Sequence, residues 1–105
     1  MKLQELAAAD VNMRLARGEI LLVDVREPAE FAAERIAGAV LFPLSSFDPT
    51  KLPDPGSKQI VFHCGIGKRS MMALNLCQQA GLPLETHLAG GLQAWKAAGL
   101  PTVSG

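Results

Sequence analysis

The chain lacks several features that would assign it to a broad class of protein. Its formal net charge is zero over 105 residues, so nothing global indicates nucleic acid or an anionic membrane as a partner. No apolar run approaches the roughly 20 residues of a membrane span. Residues 1–18 carry acids and arginine where a signal peptide needs an apolar stretch. We therefore expect a cytoplasmic location, with no membrane and no nucleic acid among the partners.

Cysteine is also scarce, since Cys64 and Cys77 are the only two in the sequence. Two cysteines are too few for a disulfide framework, and they do not form a Cys-x-x-Cys pair. Together with the two histidines they show no zinc-finger spacing, so we expect no metal. Cys77 falls on the sheet-facing side of a helical pattern, beside Ala73 and Ala80, and is interpreted as a small buried hydrophobic residue.

What the chain does have is a regular alternation of strand and helix patterns, of a length that fits one domain over residues 1–105. Residues 20–25 and 59–62 are almost continuous apolar runs, typical of strands covered on both faces. Weaker strands are predicted over 39–41 and 86–88, and helices over 9–17, 28–35, 69–80 and 92–98. The expected fold is α/β, with a mostly parallel central sheet flanked by helices on both faces.

Cys64 stands at the carboxyl end of the second apolar run, where ligands of open α/β sheets collect. Gly65 and Gly67 behind it allow a tight turn with positive φ. Such a turn can aim successive N–H groups inward as an anion-binding nest, facing the positive end of the next helix dipole. Lys68 and Arg69 add positive charge at the same place.

These surroundings should activate the Cys64 thiol. A helix N-terminus and nearby cations bring the pKa of a cysteine from near 8.5 to roughly 3.5–7.5. No acidic residue occurs within residues 55–84 to offset the cations. We therefore predict a largely ionised thiol, suited to nucleophilic attack on an anionic substrate.

Two chemistries use a thiolate in a loop of this kind. A cysteine phosphatase needs an arginine at the sixth position after the cysteine, to close a loop wide enough for phosphate. Here that position is Ser70 and the arginine is Arg69, so the loop is one residue too short. A tighter ring suits a single sulfur atom: the thiolate attacks a sulfane sulfur, becomes Cys–S–S⁻, and the N–H groups stabilise the added charge.

Three segments carry a resemblance to a known family. The first is LVDVREPAEF at 22–31, followed by IAGA at 36–39. The second is CGIGKRS at 64–70, and the third is LAGGLQAW at 88–95 with AGLP at 98–101. In this order they resemble the signatures of the single-domain rhodaneses, which are sulfurtransferases, over essentially the whole chain.

The resemblance implies a thiosulfate or persulfide sulfurtransferase in which Cys64 carries a persulfide from donor to thiophilic acceptor. The six residues after the cysteine would bind the small anionic donor through backbone N–H groups, namely Gly65, Ile66, Gly67, Lys68, Arg69 and Ser70. The acceptor would be a thiol, a cyanide-like molecule or a protein. No metal or organic cofactor would be needed.

The chain departs from the family next to the cysteine. Many members carry arginine at that position, where this chain has Gly65, so a persulfide or polysulfide donor is an alternative to thiosulfate. Two other functions stay open. One is a non-catalytic binding module with the same fold, and the other, less favoured by the loop length, is a phosphatase or arsenate reductase.

Four polar residues near the same edge are interpreted mainly as structural. Asp24 ends the first long strand and is expected to bond loop backbone or to pair with Arg26, itself placed either at the pocket mouth or in solvent. His63 should point to the face opposite Cys64, because side chains alternate along a strand. His87 is likewise interpreted as structural.

Overall fold

The two apolar runs form neighbouring strands at the centre of the sheet. In the computed structural model, which describes residues 2–105, β2 (Ile20–Asp24) and β4 (Gln59–His63) pair in parallel over their full length. Successive side chains point to opposite faces, so Leu22 joins the apolar cluster on one face and Val23 joins the cluster on the other. Both faces of the centre are therefore buried.

Three shorter strands extend this pair. β3 (Val40–Leu41) pairs with β2, β5 (Thr86–Leu88) pairs with β4, and β1 (Gln4–Leu6) pairs with β5. The strand order is β1-β5-β4-β2-β3, and every pairing is parallel. All carboxyl ends of the strands therefore lie along the same edge.

The helices are α1 (Ala8–Ala16), α2 (Pro28–Ala33), α3 (Lys68–Gln79) and α4 (Gly91–Ala97); the first three connect strands, and α4 follows the last strand. α1 and α4 bury side chains in the cluster on one face of the sheet, and α3 packs on the other face through Ala73, Leu74 and Cys77. The predicted α/β fold with helices on both faces is confirmed. None of the helices in residues 2–105 is long and apolar enough to cross a membrane.

Two local predictions about elements were wrong. No strand was predicted over residues 4–6, where β1 is short and polar and forms a strand only because β5 supplies its partner. Ala80 was expected to face the sheet, but it is exposed, because α3 ends at Gln79 and the chain turns away through Gly81 at φ +82°.

Candidate active site

The thiol of Cys64 lies where β4 ends, at the carboxyl edge of the sheet, and the residue is 1% exposed. Its Sγ atom accepts hydrogen bonds from the backbone N–H of Gly67 at 3.1 Å and of Ser70 at 3.4 Å. Both donors belong to the start of α3, where N–H groups have no helical acceptor. The sulfur therefore lies inside a turn of amide hydrogens at the positive end of a helix dipole.

The start of α4 holds this turn from behind. The N–H of Leu92 donates to the carbonyl of Cys64 at 2.8 Å, and the N–H of Gln93 donates to the carbonyl of Gly65 at 3.0 Å. A trans peptide points its N–H opposite to its C=O, so the N–H groups of Gly65 and Ile66 face away from α4. Within residues 2–105 neither N–H has an acceptor in the protein.

The two glycines of the turn have different roles. Gly67 has φ +105° and caps α3, as predicted for a residue in the left-handed region. The prediction of positive φ was wrong for Gly65, which is not among the residues with positive φ. A Cβ at residue 65 would instead approach Nη2 of Arg69 to 3.3 Å. Glycine at 65 makes room for the Arg69 guanidinium.

The predicted binding residues divide between a short turn and a helix. Ile66 is 57% exposed beside the thiol, and it lies in the turn with Gly65 and Gly67. Lys68 and Ser70 belong to the first turn of α3 together with Arg69. Lys68 faces solvent, whereas Ser70 is buried.

Arg69 is paired rather than free. Its Nη1 and Nη2 atoms contact the two carboxylate oxygens of Glu30, on α2, at 2.6 and 3.0 Å. The hydrogen bonds from Arg69 are the largest influence on the Glu30 carboxyl and lower its pKa to about 2. The same bonds raise the pKa of Arg69. The cation at the mouth of the turn is therefore partly neutralised by α2.

Asp24 and Arg26 form a buried ion pair. The Arg26 guanidinium donates to Oδ2 of Asp24 at 2.8 Å and to the carbonyl of Glu34 at 2.7 Å. Burial works to raise the pKa of Asp24, but the contacts with His63 and Arg26 outweigh it and hold the pKa below its usual range. Arg26 is 4% exposed, so the interpretation of a solvated arginine was wrong. The pair anchors the loop after β2.

His63 points away from the thiol, as strand alternation predicts. Its Nδ1 atom lies 3.3 Å from the carbonyl oxygen of Cys64, and its Nε2 atom lies 3.3 Å from Oδ2 of Asp24. The second contact lacks the alignment of a full hydrogen bond, so its attraction is electrostatic. His63 therefore supports the backbone of the cysteine from the opposite face.

His87 is the residue whose position sequence reasoning missed. Its Nδ1 atom lies 2.7 Å from Oγ of Ser70, next to the Cys64 sulfur. One signal was present, because residues 86–88 were predicted as a strand parallel to β4, and such strands end at the same edge. Which strand would lie beside which was not specified.

Cys77 differs from Cys64 in its surroundings. Burial raises the pKa of the Cys77 thiol to about 11, and the side chain packs among Ala73 and Leu74 beneath α3. Neither cysteine is in a disulfide. In residues 2–105 no group of three or more histidine, cysteine or acidic side chains is placed to hold a metal ion.

Comparison with known proteins identifies the fold and the family. The model of the rhodanese-like domain matches residues 7–98. The chain belongs to the rhodanese-like domain family. A solved structure of a rhodanese-related protein from Thermoplasma volcanium superposes with a TM-score of 0.80 at 29% identity, covering 95% of this chain and 97% of that one.

Two curated relatives of this rhodanese-like chain differ in length. An uncharacterised protein of Synechocystis sp. is 49% identical over 80% of this chain, which spans 47% of that protein. A protein of Allochromatium vinosum named sulfurtransferase is 35% identical over 95% of this chain and 94% of its own length. The match to the second extends over almost the whole of both proteins.

Proposed function

We propose that this chain is a sulfurtransferase that moves a sulfane sulfur through a persulfide on Cys64. Relatives named sulfurtransferase support a function of that type. The observation that carries the proposal is the pair of N–H groups, from Gly67 and Ser70, aimed at the Cys64 sulfur. An outer sulfur with a negative charge, once attached to Sγ, would find more N–H donors in the same turn.

The donor half-reaction is a displacement at sulfur. The Cys64 sulfur attacks the outer sulfur of the donor, so that an Sγ–S bond forms while the S–S bond of the donor breaks. The electron pair of the broken bond leaves with sulfite when the donor is thiosulfate. The thiol proton is released, and the enzyme is left as Cys64–S–S⁻. A thiol or cyanide then attacks the outer sulfur and restores the Cys64 sulfur.

Thiosulfate and persulfide donors place different demands on the mouth of the turn. Thiosulfate is a dianion and benefits from a cation near the thiol. Arg69 provides this cation in the space that Gly65 leaves open, but its Nη1 and Nη2 atoms both donate hydrogen bonds to the carboxylate of Glu30. We include a persulfide or polysulfide donor in the proposal for this reason.

The remaining parts of the proposal concern the setting of the reaction. Residues 1–105 act as one rhodanese domain in the cytoplasm. Residues 65–70 bind the donor, and the acceptor is a small thiol, a cyanide-like molecule or a protein. No cofactor takes part.

Intact mass spectrometry tests the central step. Incubation with thiosulfate, and separately with polysulfide, should add one sulfur atom to the protein, and Cys64→Ser should prevent the addition. Cys77→Ser is the matched control, because Cys77 is the other cysteine and lies in the core, away from the turn. It should load sulfur like the parent protein.

Two outcomes favour the rival functions. An unchanged mass with every donor, together with a Cys64 no more reactive to alkylation at pH 6 than a free thiol, favours a non-catalytic binding module. Hydrolysis of an aryl phosphate that is lost in Cys64→Ser favours a phosphatase.

A further inference from the structure

A chain of hydrogen-bonding groups leads from the Cys64 sulfur to solvent. The Sγ atom lies 3.7 Å from Oγ of Ser70, and that oxygen lies 2.7 Å from Nδ1 of His87. On the far side of the ring, Nε2 of His87 lies 3.1 Å from Oε2 of Glu5. This series of hydrogen-bonding groups runs from the end of β4 to α3, β5 and β1.

Burial changes abruptly along this chain. Cys64, Ser70 and His87 are each at most 1% exposed, whereas the Glu5 side chain is 56% exposed. These groups therefore connect the buried Cys64 sulfur, where a proton would be released, to water at the exposed Glu5 side chain.

The chemistry of the groups determines which one donates and which one accepts in each hydrogen bond of the series. An ionised carboxylate only accepts hydrogen bonds, so Glu5 requires the hydrogen of a neutral His87 to be on Nε2. Nδ1 is then an acceptor for the hydroxyl hydrogen of Ser70, at a shorter distance than the 3.1 Å to the competing carbonyl of Gly67. The Ser70 oxygen keeps a lone pair for the thiol hydrogen of Cys64.

Within residues 2–105, the other charged groups near the turn make no hydrogen bond to His87. Arg69 on α3 pairs with Glu30, and Lys68 faces solvent. His63 lies on the opposite face of the sheet, beside Asp24. Within residues 2–105, Glu5 is the ionisable side chain in hydrogen-bond contact with His87, and Cys64 comes next through Ser70.

We propose that His87 is a positioning residue that takes up the Cys64 thiol proton through Ser70, with Glu5 stabilising the resulting imidazolium. This inference rests on the proposed function and extends it by naming where the proton goes. As the Sγ–S bond forms and the donor S–S bond breaks, the thiol hydrogen moves to Oγ of Ser70. The hydroxyl hydrogen of Ser70 moves to Nδ1 of His87 in the same step. Sulfite leaves with the electron pair, and the proton reaches solvent beside Glu5.

The test compares His87→Asn with Glu5→Gln in single-turnover loading by thiosulfate, followed by intact mass spectrometry. Asparagine keeps an acceptor near Ser70 but takes up no proton. We expect loading by His87→Asn at saturating donor to be slower by at least about tenfold, with KM changed less than about threefold. Glu5→Gln should show a smaller loss, because the imidazole remains.

Thr86→Val is the matched control. Thr86 is buried one residue before His87, and its hydroxyl bonds Gln4 and Gln59 instead of the turn. This variant removes two side-chain hydrogen bonds from the neighbouring position of β5, as His87→Asn does, and should load within about twofold of the parent protein. An equal loss in Thr86→Val and His87→Asn would reduce the role of His87 to packing and overturn the proposal.

A second readout does not depend on sulfur transfer. The rate at which iodoacetamide alkylates the Cys64 peptide is measured against pH, and the half-maximal rate should occur at higher pH in His87→Asn. If the parent protein loads no sulfur, the proposed function fails, but the alkylation profile still tests whether His87 takes up the Cys64 proton. Identical alkylation profiles in the parent, His87→Asn and Glu5→Gln overturn this role of His87. Should His87→Asn not fold, Glu5→Gln gives the same decision from an exposed position.

Discussion

Gly91 lies so close to the active-site turn that a Cβ at residue 91 would come within 2.8 Å of the Gly65 carbonyl oxygen. This contact brings the start of α4 against β4, so that the N–H of Leu92 reaches the carbonyl of Cys64. Gly91 also has φ +59°, which favours glycine. Close approach of two backbones is what aims the amides of the turn.

Gly91→Ala should therefore damage both stability and sulfur loading. Gly99→Ala is the matched control, because Gly99 has φ +75° but no atom within 4 Å of its Cβ position. Backbone strain alone should cost Gly99→Ala about 1–2 kcal/mol of unfolding free energy. Gly91→Ala should lose roughly 1–3 kcal/mol more, because backbone atoms cannot yield to the methyl group. Urea denaturation measures both, and equal losses would contradict the contact.

Arg69 and Glu30 should affect thiosulfate in opposite directions. Glu30→Gln leaves the Arg69 charge uncompensated at the mouth of the turn, so the KM for thiosulfate should fall. Arg69→Gln removes the cation, so the KM should rise. Each change should be several-fold, which corresponds to about 1 kcal/mol.

Steady-state assays with cyanide as acceptor measure these changes. Arg17→Gln is the charge-matched control, since Arg17 is an exposed residue at the end of α1. Its KM should match that of the parent protein. A shift of the same sign in Glu30→Gln and Arg69→Gln would show that Arg69 acts through structure and not through its charge.

The Glu30–Arg69 pair should also make stability depend on acid. The folded-state pKa of Glu30 is about 2, below its usual 4.5, so the ionised carboxylate stabilises the fold. That contribution is complete above about pH 4.5 and is lost as the pH falls towards 2. Parent protein and Glu30→Gln should therefore differ most in unfolding free energy near neutral pH and converge in acid. The exposed Glu19→Gln serves as control, and a gap that widens in acid would refute the sign.

Asp24→Asn should be strongly destabilising. The change leaves the guanidinium of Arg26 buried without its anion, and breaking a buried pair in this way costs about 3–5 kcal/mol. Asp54→Asn is the surface control, because Asp54 bonds only the N–H of Gly56 among exposed groups. Chemical denaturation compares the two. A loss below about 1 kcal/mol in Asp24→Asn would mean that Arg26 finds water or another acceptor.

The sequence alone determined the order of the elements from α1 to α4 and the place of the thiol. Two apolar runs specify buried strands because alternate side chains point to opposite faces of the sheet, and both faces are covered by helices. The cysteine, the glycines and the following helix are neighbours along the chain, so the turn they form could be predicted from local sequence. Even there the local sequence did not predict the conformation of Gly65, which lacks positive φ.

Tertiary structure alone decided which distant residues meet at that turn. β1 has too few apolar residues to be recognised, and it exists as a strand because β5 offers an open edge. Its pairing brings Glu5 to His87, 82 positions away in sequence. Arg69 meets Glu30 in the same way, from a different helix. Register between strands and the packing of helices across them depend on the whole core, which no local pattern of residues encodes.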